Sequence, residues 1–239
     1  RDEDAKRAEA AARRAIALNG NLASGHAMLG LVLYCLRFDF KGAEMAYRRV
    51  IELDPRSTYA IVEYTDLLRQ PGRFGEAEEQ IQKARTLQPG VPVLAVKQAE
   101  IQLDRNQPDA AIAILTEALR LRHDVRRAHV ALGAAWEAKG DFEQALSRYR
   151  HALGMNPQDR RALPALGYLL GVMGRQEGAR AIARQLEDIT ARIRNCSFQV
   201  AVVYSGLGEH ERTLEWLERA YRTKQAALPS MVIEYRLRP

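Results

Sequence analysis

Small and apolar residues return along this chain at intervals that place them on single faces of successive helices. Ala77 and Ala84 are seven residues apart, as are Ala111 and Ala118, and Ala145 and Ala152. Seven residues is nearly two helical turns, so each pair shares a face. The same phase recurs between helices. Ala43, Ala77, Ala111, Ala145 and Ala179 are spaced by 34 residues, and Pro55, Pro89 and Pro157 follow the ends of similar helical runs, with His123 in the intervening place. An internal period of this length predicts a stack of helical hairpins, each burying its apolar face against its neighbours.

The turns carry the same register. Gly72, Gly140, Gly174 and Gly208 end the first helix of a hairpin, and Asn106 takes that place in another, as a left-handed turn residue requires. Phe40, Phe74 and Phe142 follow as candidate anchors of the second helix, with Pro108 at the early helical position where proline is tolerated. Gly30, Gly133 and Gly167 recur inside first helices. Glycine weakens a helix there, so its return predicts close approach of the paired helix.

These residues resemble the tetratricopeptide repeat family over nearly the whole chain. The clearest copy is 126–159, with Leu132, Gly133, Gly140, Asp141, Phe142, Ala145, Ala152 and Pro157 at motif positions. The resemblance implies an all-α fold, a right-handed superhelical solenoid of antiparallel hairpins. Copies are expected at about 23–57, 58–91, 92–125, 126–159 and 160–193, with a degenerate one at 194–224. Residues 1–20 look like the second helix of an earlier copy, with Ala8 and Ala15 at its small positions, and 225–239 is expected to form a capping tail. The first full copy has one inserted residue near 37–41, so its turn is expected to bulge. The sixth has Thr213 in place of alanine. Trp136, Trp216 and Tyr221 are read as packing residues. The stretch Val202–Tyr221 looks like the closing repeat of tetratricopeptide regions in bacterial signalling proteins that carry nucleotide cyclase, kinase or winged-helix regulator domains. That likeness implies a regulatory fragment of a larger protein.

Composition adds little to this reading. Hydrophobic residues make up 47% and aromatic residues 7%, a balance that suits alanine-lined helices. The net charge of +6 is spread among acids, least evenly over 118–161, and is read as a solubilising surface rather than a nucleic-acid face. Cys35 and Cys196 are distant and read as buried thiols in apolar-patterned helices. No apolar run approaches the roughly 20 residues of a membrane span. A cytoplasmic location is expected, with the periplasm open if a targeting segment lies upstream.

Candidate chemistry is sparse. There is no phosphate-binding glycine loop, dinucleotide fingerprint or zinc-helix motif. Gly167, Gly171 and Gly174 fall within and just past a first helix, not between a strand and a helix. The five histidines are scattered over different copies, and His123 with His129 lacks a metal spacing. The reading therefore has no catalytic residue, no metal and no cofactor.

The resemblance implies that first helices line a concave groove. Its inward positions in copies two to four include Tyr59, Asp66, Arg69, Glu100, Asp104, Arg127 and Glu137. These are the expected peptide-binding residues, since mixed charge beside an aromatic suits a polypeptide better than a uniform polyanion. In chaperone-binding relatives a Lys and an Asn clamp a peptide carboxylate. The matching pairs here, such as Val62 with Asp66 and Val96 with Glu100, depart from that pattern. The expected function is noncatalytic protein interaction or scaffolding. A sensory domain for a small molecule and a helical-repeat RNA binder are the alternatives, and a homodimer through 1–20 or 211–237 stays open.

Overall fold

The computed structural model describes residues 2–70, 72–121, 125–193, 196–223 and 236. Among them the chain is all-helical, with thirteen α-helices and no strand. They are α1 (Asp2–Leu18), α2 (Ala23–Val32), α3 (Phe40–Leu53), α4 (Thr58–Arg69), α5 (Phe74–Leu87), α6 (Pro92–Asp104) and α7 (Pro108–Leu121). There follow α8 (Arg126–Lys139), α9 (Phe142–Met155), α10 (Ala162–Val172), α11 (Gln176–Ile193), α12 (Ser197–Gly206) and α13 (His210–Arg222). The chain divides into two compact units, Arg1–Ile101 and Gln102–Pro239.

In the first unit α1 packs on α2, α2 on α3, α3 on α4 and α4 on α5. Its core joins Tyr47, Val50, Ile61, Leu68, Ile81, Leu94 and Ile101. In the second, α8 packs on both α7 and α9, and α10 on α9, α11 and α12. Helix α13 closes on α12. Tyr149, Leu169, Leu186, Val200 and Val203 lie at the centre of that core.

The expected small positions are the closest contacts. Ala43, Ala77, Ala111, Ala145, Ala152, Ala179 and Ala220 are fully buried. A Cβ on Gly30 would lie 2.7 Å from the ring of Tyr47, and one on Gly133 2.5 Å from the ring of Tyr149. The two tyrosines stand three repeat periods apart, so one lock of glycine against tyrosine is built twice. A contact of another kind joins α10 to α12, where a Cβ on Gly171 would meet the Gly206 backbone at 2.5 Å. Backbone cannot swing aside as a side chain can, so the two helices touch main chain to main chain.

The turns follow the sequence closely. Gly72, Gly140, Gly174 and Gly208 have φ of +73° to +85°, and Asn106 has φ of 58°. Asp39 and Asp141 cap α3 and α9 by accepting from the amides of Gly42 and Gln144, which satisfies helix-end donors that would otherwise lack partners. The inserted residue of the first copy is absorbed just upstream of its expected place. Leu33–Arg37 forms a π-helical turn, and Phe38 closes it in the left-handed region. One extra residue in a helix is accommodated by such a turn, which keeps Phe40 and α3 in register.

Some expectations need adjustment. On α1, Ala5 and Ala12 are the buried residues, and Ala8 and Ala15 on the same stripe are half-buried. Cys196 is buried but stands at the cap of α12, and Cys35 is half-buried in the π turn. Trp136 packs on the core while half-buried, with Lys139 over its ring. Thr213 replaces the usual alanine at the cost of a hydroxyl, which donates to the Glu209 carbonyl. His123 lies outside the described residues, as does the expected cap over 225–239 apart from Arg236.

Candidate functional site

The seven expected binding residues fall into two groups, one in each unit. Asp66 and Arg69 stand three residues apart on α4, one helical turn, so both point toward α6, where Glu100 faces them. Arg69 Nη1 donates to Asp66 Oδ1 at 3.0 Å and to Glu100 Oε2 at 2.7 Å. A fourth charge, passed over in the sequence reading, completes the set. Lys97 Nζ lies 2.7 and 2.8 Å from the two oxygens of Asp66 and 2.8 Å from Glu100 Oε2. The side chains of Arg69 and Lys97 are only 8% and 3% exposed. Two carboxylates and two cations thus neutralise one another. Without countercharge, burial of any one of them would cost several kcal/mol, on the order of 3–5.

Beside this network Tyr34 hydrogen-bonds Gln70. Burial, and then the charge of Asp66, raise its phenol far above the ordinary value. Burial pushes the Cys35 thiol up to about 12, with Glu63 adding to the effect. Neither group ionises near neutrality, so neither offers a nucleophile or a base there. Tyr59 is the exposed member of the expected set in this unit, its phenol pushed up to about 12 by partial burial.

In the second unit Glu137, near the end of α8, is buried. Tyr149, on α9 and fully buried, donates its phenol proton to Glu137 Oε2 at 2.8 Å. Burial, with Glu137 next in weight, raises that phenol well above its usual value, so it stays a donor. The countercharge comes from Arg236. Its Nε and Nη2 donate to Glu137 Oε1 and Oε2 at 3.0 and 3.2 Å, and Nη2 also lies 2.9 Å from Tyr149 Oη. The guanidinium sits 5.4 Å from the ring centre of Tyr168 on α10, and Ser205 on α12 donates to the Arg236 carbonyl at 2.5 Å. Asp104 and Arg127, the remaining expected residues, are half-buried on α6 and α8.

Two signals were available for Lys97. It stands three residues before Glu100 and 34 after Glu63, but its neighbours Leu94, Ala95 and Val96 read as an apolar face. Arg236 had none, because its partner lies 99 residues away.

Elsewhere an open apolar pocket of about 380 Å³ lies against α3, α4 and α5, lined by Ile51, Pro55, Ile61, Ala84 and Leu87 with Gln80, Lys83 and Thr86. His129 and His151 meet with ring centres 4.2 Å apart and planes tilted by 51°, a pairing that their spacing had not suggested. Among the described residues no group of three or more His, Cys, Asp or Glu could hold a metal ion, and no helix is long and apolar enough to cross a membrane.

Two family models described as tetratricopeptide repeat match residues 127–235 and 96–146. The chain carries tetratricopeptide repeats. A stretch of 93 residues, 39% of this chain, is 27% identical to Homo sapiens protein O-mannosyl-transferase TMTC1. The chain spans about a tenth of the length of that relative. Among solved structures, the human IFIT1 dimer with m7Gppp-AAAA superposes with a TM-score of 0.71 at 17% identity, covering 94% of this chain and 56% of that one. A tetratricopeptide repeat protein from Parabacteroides merdae gives 0.65 at 11% identity, covering 99% and 94%. At these identities the structural likeness carries the fold alone. Repeats of this kind are protein-interaction and scaffolding modules.

Proposed function

We propose that this chain is a noncatalytic interaction domain that holds a polypeptide against its first helices, as a regulatory part of a larger bacterial protein. The observation that carries this reading is the seat of Arg236. There α8, α9, α10 and α12 together grip one residue of a polypeptide, by its side chain and by its main-chain carbonyl. The sites that position the grip are rigid helices with a glycine lock behind them, so the geometry is formed before a ligand arrives.

In the first unit the charge network sets a different role for Asp66, Arg69 and Glu100. Their charges are spent on one another, and they act as a fixed mixed-charge floor. Tyr59, exposed on the same helix, is the side chain there that meets a partner.

The experiment is capture of the native partner with the full chain under nuclease treatment, followed by affinity measurement with Tyr59→Ser and Glu137→Gln variants of unchanged helical circular dichroism. Weakened binding in either variant supports the face. Unchanged affinity in both, with cross-links confined to second helices, rejects it. A partner lost on nuclease treatment would transfer the reading to RNA.

A further inference from the structure

We infer that Glu137, Tyr149, Tyr168 and Ser205 form a recognition site for an arginine of a polypeptide, and that Arg236 is its built-in occupant, displaced when a partner presents an arginine of its own. The inference rests on the polypeptide-binding reading above and adds to it the chemistry of the ligand and a means of control.

The site is selective for a guanidinium by geometry. Both oxygens of Glu137 are engaged side by side by Nε and Nη2 of one planar fork. A lysine ammonium can touch two carboxylate oxygens, as Lys97 does on Asp66, but it brings one nitrogen where the guanidinium brings two parallel N–H donors in a fixed plane. Tyr149 accepts the same Nη2 while donating to Glu137, so the phenol bridges carboxylate and ligand. The ring of Tyr168 adds a cation–π contact, to which a planar cation is well suited. Glu137 has its side chain 4% exposed, and an anion so placed demands a cation.

A polypeptide, rather than a free guanidino compound, is indicated by the second point of contact. Ser205 Oγ donates to the main-chain carbonyl of Arg236, so the site reads a peptide unit as well as a side chain. The contact comes from a different helix than the carboxylate, so two helices engage the one residue.

Displacement follows from the origin of the occupant. The cation reaches Glu137 from a residue 99 positions along the chain, and an arginine from another polypeptide would make the same set of bonds. Exchange then loses no interaction type, and its equilibrium is set by the effective concentration of the tethered residue against that of the incoming one. Tethering therefore weakens every competitor by a constant factor, an autoinhibitory threshold that a high local concentration of partner overcomes.

The test uses the full chain and a fluorescein-labelled heptapeptide with the sequence of residues 233–239, Ile-Glu-Tyr-Arg-Leu-Arg-Pro, read by fluorescence anisotropy. Arg236→Ala is expected to bind the probe at least about tenfold more tightly than the unmodified chain, since the tethered competitor is gone. A probe with lysine at its fourth position should bind Arg236→Ala at least about tenfold more weakly than the arginine probe. Adding Glu137→Gln to Arg236→Ala should abolish probe binding. Where Arg236→Ala loses its helical circular dichroism, Arg236→Lys takes its place. Equal affinity of the unmodified chain and the variant, equal affinity for the arginine and lysine probes, or binding that survives Glu137→Gln overturns the inference. If the native partner still binds through Tyr59 while the probe fails these tests, the arginine site alone falls. If neither depends on the first helices, the polypeptide-binding reading falls with it.

Discussion

Arg69 in the first unit and Glu137 in the second stand two repeat periods apart at the same place on a first helix, and both are buried. Their charges are opposite, and so is the way each is neutralised. Arg69 is met by Asp66 on its own helix and Glu100 on the next first helix, all within one repeat period. Glu137 is met by Arg236, from far along the chain. The repeat fixes where a side chain sits. It does not fix who answers it. A circuit closed by adjacent repeats is part of the fold's support, and the exchange proposed for Arg236 rests on its coming from 99 positions along the chain.

The sharpest way to break the comparison is Lys97→Met. It leaves Asp66 and Glu100 short of a buried cation and should cost about 3–5 kcal/mol, measured by urea unfolding. Combining it with Asp66→Asn removes a charge of each sign and should recover most of the loss. A double variant no more stable than Lys97→Met would show that the network is not the source of the effect.

Gly133→Ala tests the second unit from behind. The new methyl has to displace the Tyr149 ring, an overpacking that should cost about 2–3 kcal/mol in thermal or chemical unfolding. It should also loosen the phenol from Glu137, so the loss is expected to shrink in an Arg236→Ala background. Simple additivity of the two changes would uncouple the glycine lock from the arginine site.

Arg236→Ala leaves the buried Glu137 carboxylate without this cation and should cost about 3 kcal/mol, at the low end for a broken buried pair, because the exchange proposed above requires that water follow the departing residue into its place. Equal losses in the two variants would erase the distinction between a supporting circuit and an exchangeable one.

The smallest effect concerns acid. Arg73 hydrogen-bonds both oxygens of Glu44 at 2.8 and 3.0 Å and, opposed by partial burial, holds the carboxyl below its usual 4.5. The stabilisation is complete above the ordinary carboxylate value and is lost as pH falls through the lowered one. Glu44→Gln should therefore flatten the acid limb of the stability curve, by under about 1 kcal/mol for so accessible a pair. An unchanged slope as the pH falls below the ordinary carboxylate value of 4.5 would remove Glu44 from the acid response.

Much of this molecule was written in the sequence because its main constraints are local or periodic. Glycine and asparagine at turn points declare a left-handed backbone, and Gly72, Asn106, Gly140, Gly174 and Gly208 adopt one. Alanines at a 34-residue spacing declare where helices touch, and those at 43, 77, 111, 145 and 179 are buried. Gly30 and Gly133 announced a close approach, although not that tyrosines would fill it. An inserted residue predicted a bulge, and the π turn at Leu33–Arg37 absorbs it.

Tertiary structure alone decided how the polar residues are matched. A buried charge must find a partner at hydrogen-bond distance, and whether that partner is one repeat away or near the far end of the chain leaves no trace in local pattern. Lys97 sits in an apolar-looking stretch yet spans two carboxylates. Asp66, Arg69 and Glu100 were legible as inward charges, but their mutual neutralisation depends on the distance between α4 and α6. Arg236 lay in a tail without periodicity, and only the folded second unit brought it to Glu137. Periodicity determined the scaffold because helix packing repeats with the sequence; pairing of charges was left to the three-dimensional fold because electrostatic satisfaction depends on proximity in space and not on position along the chain.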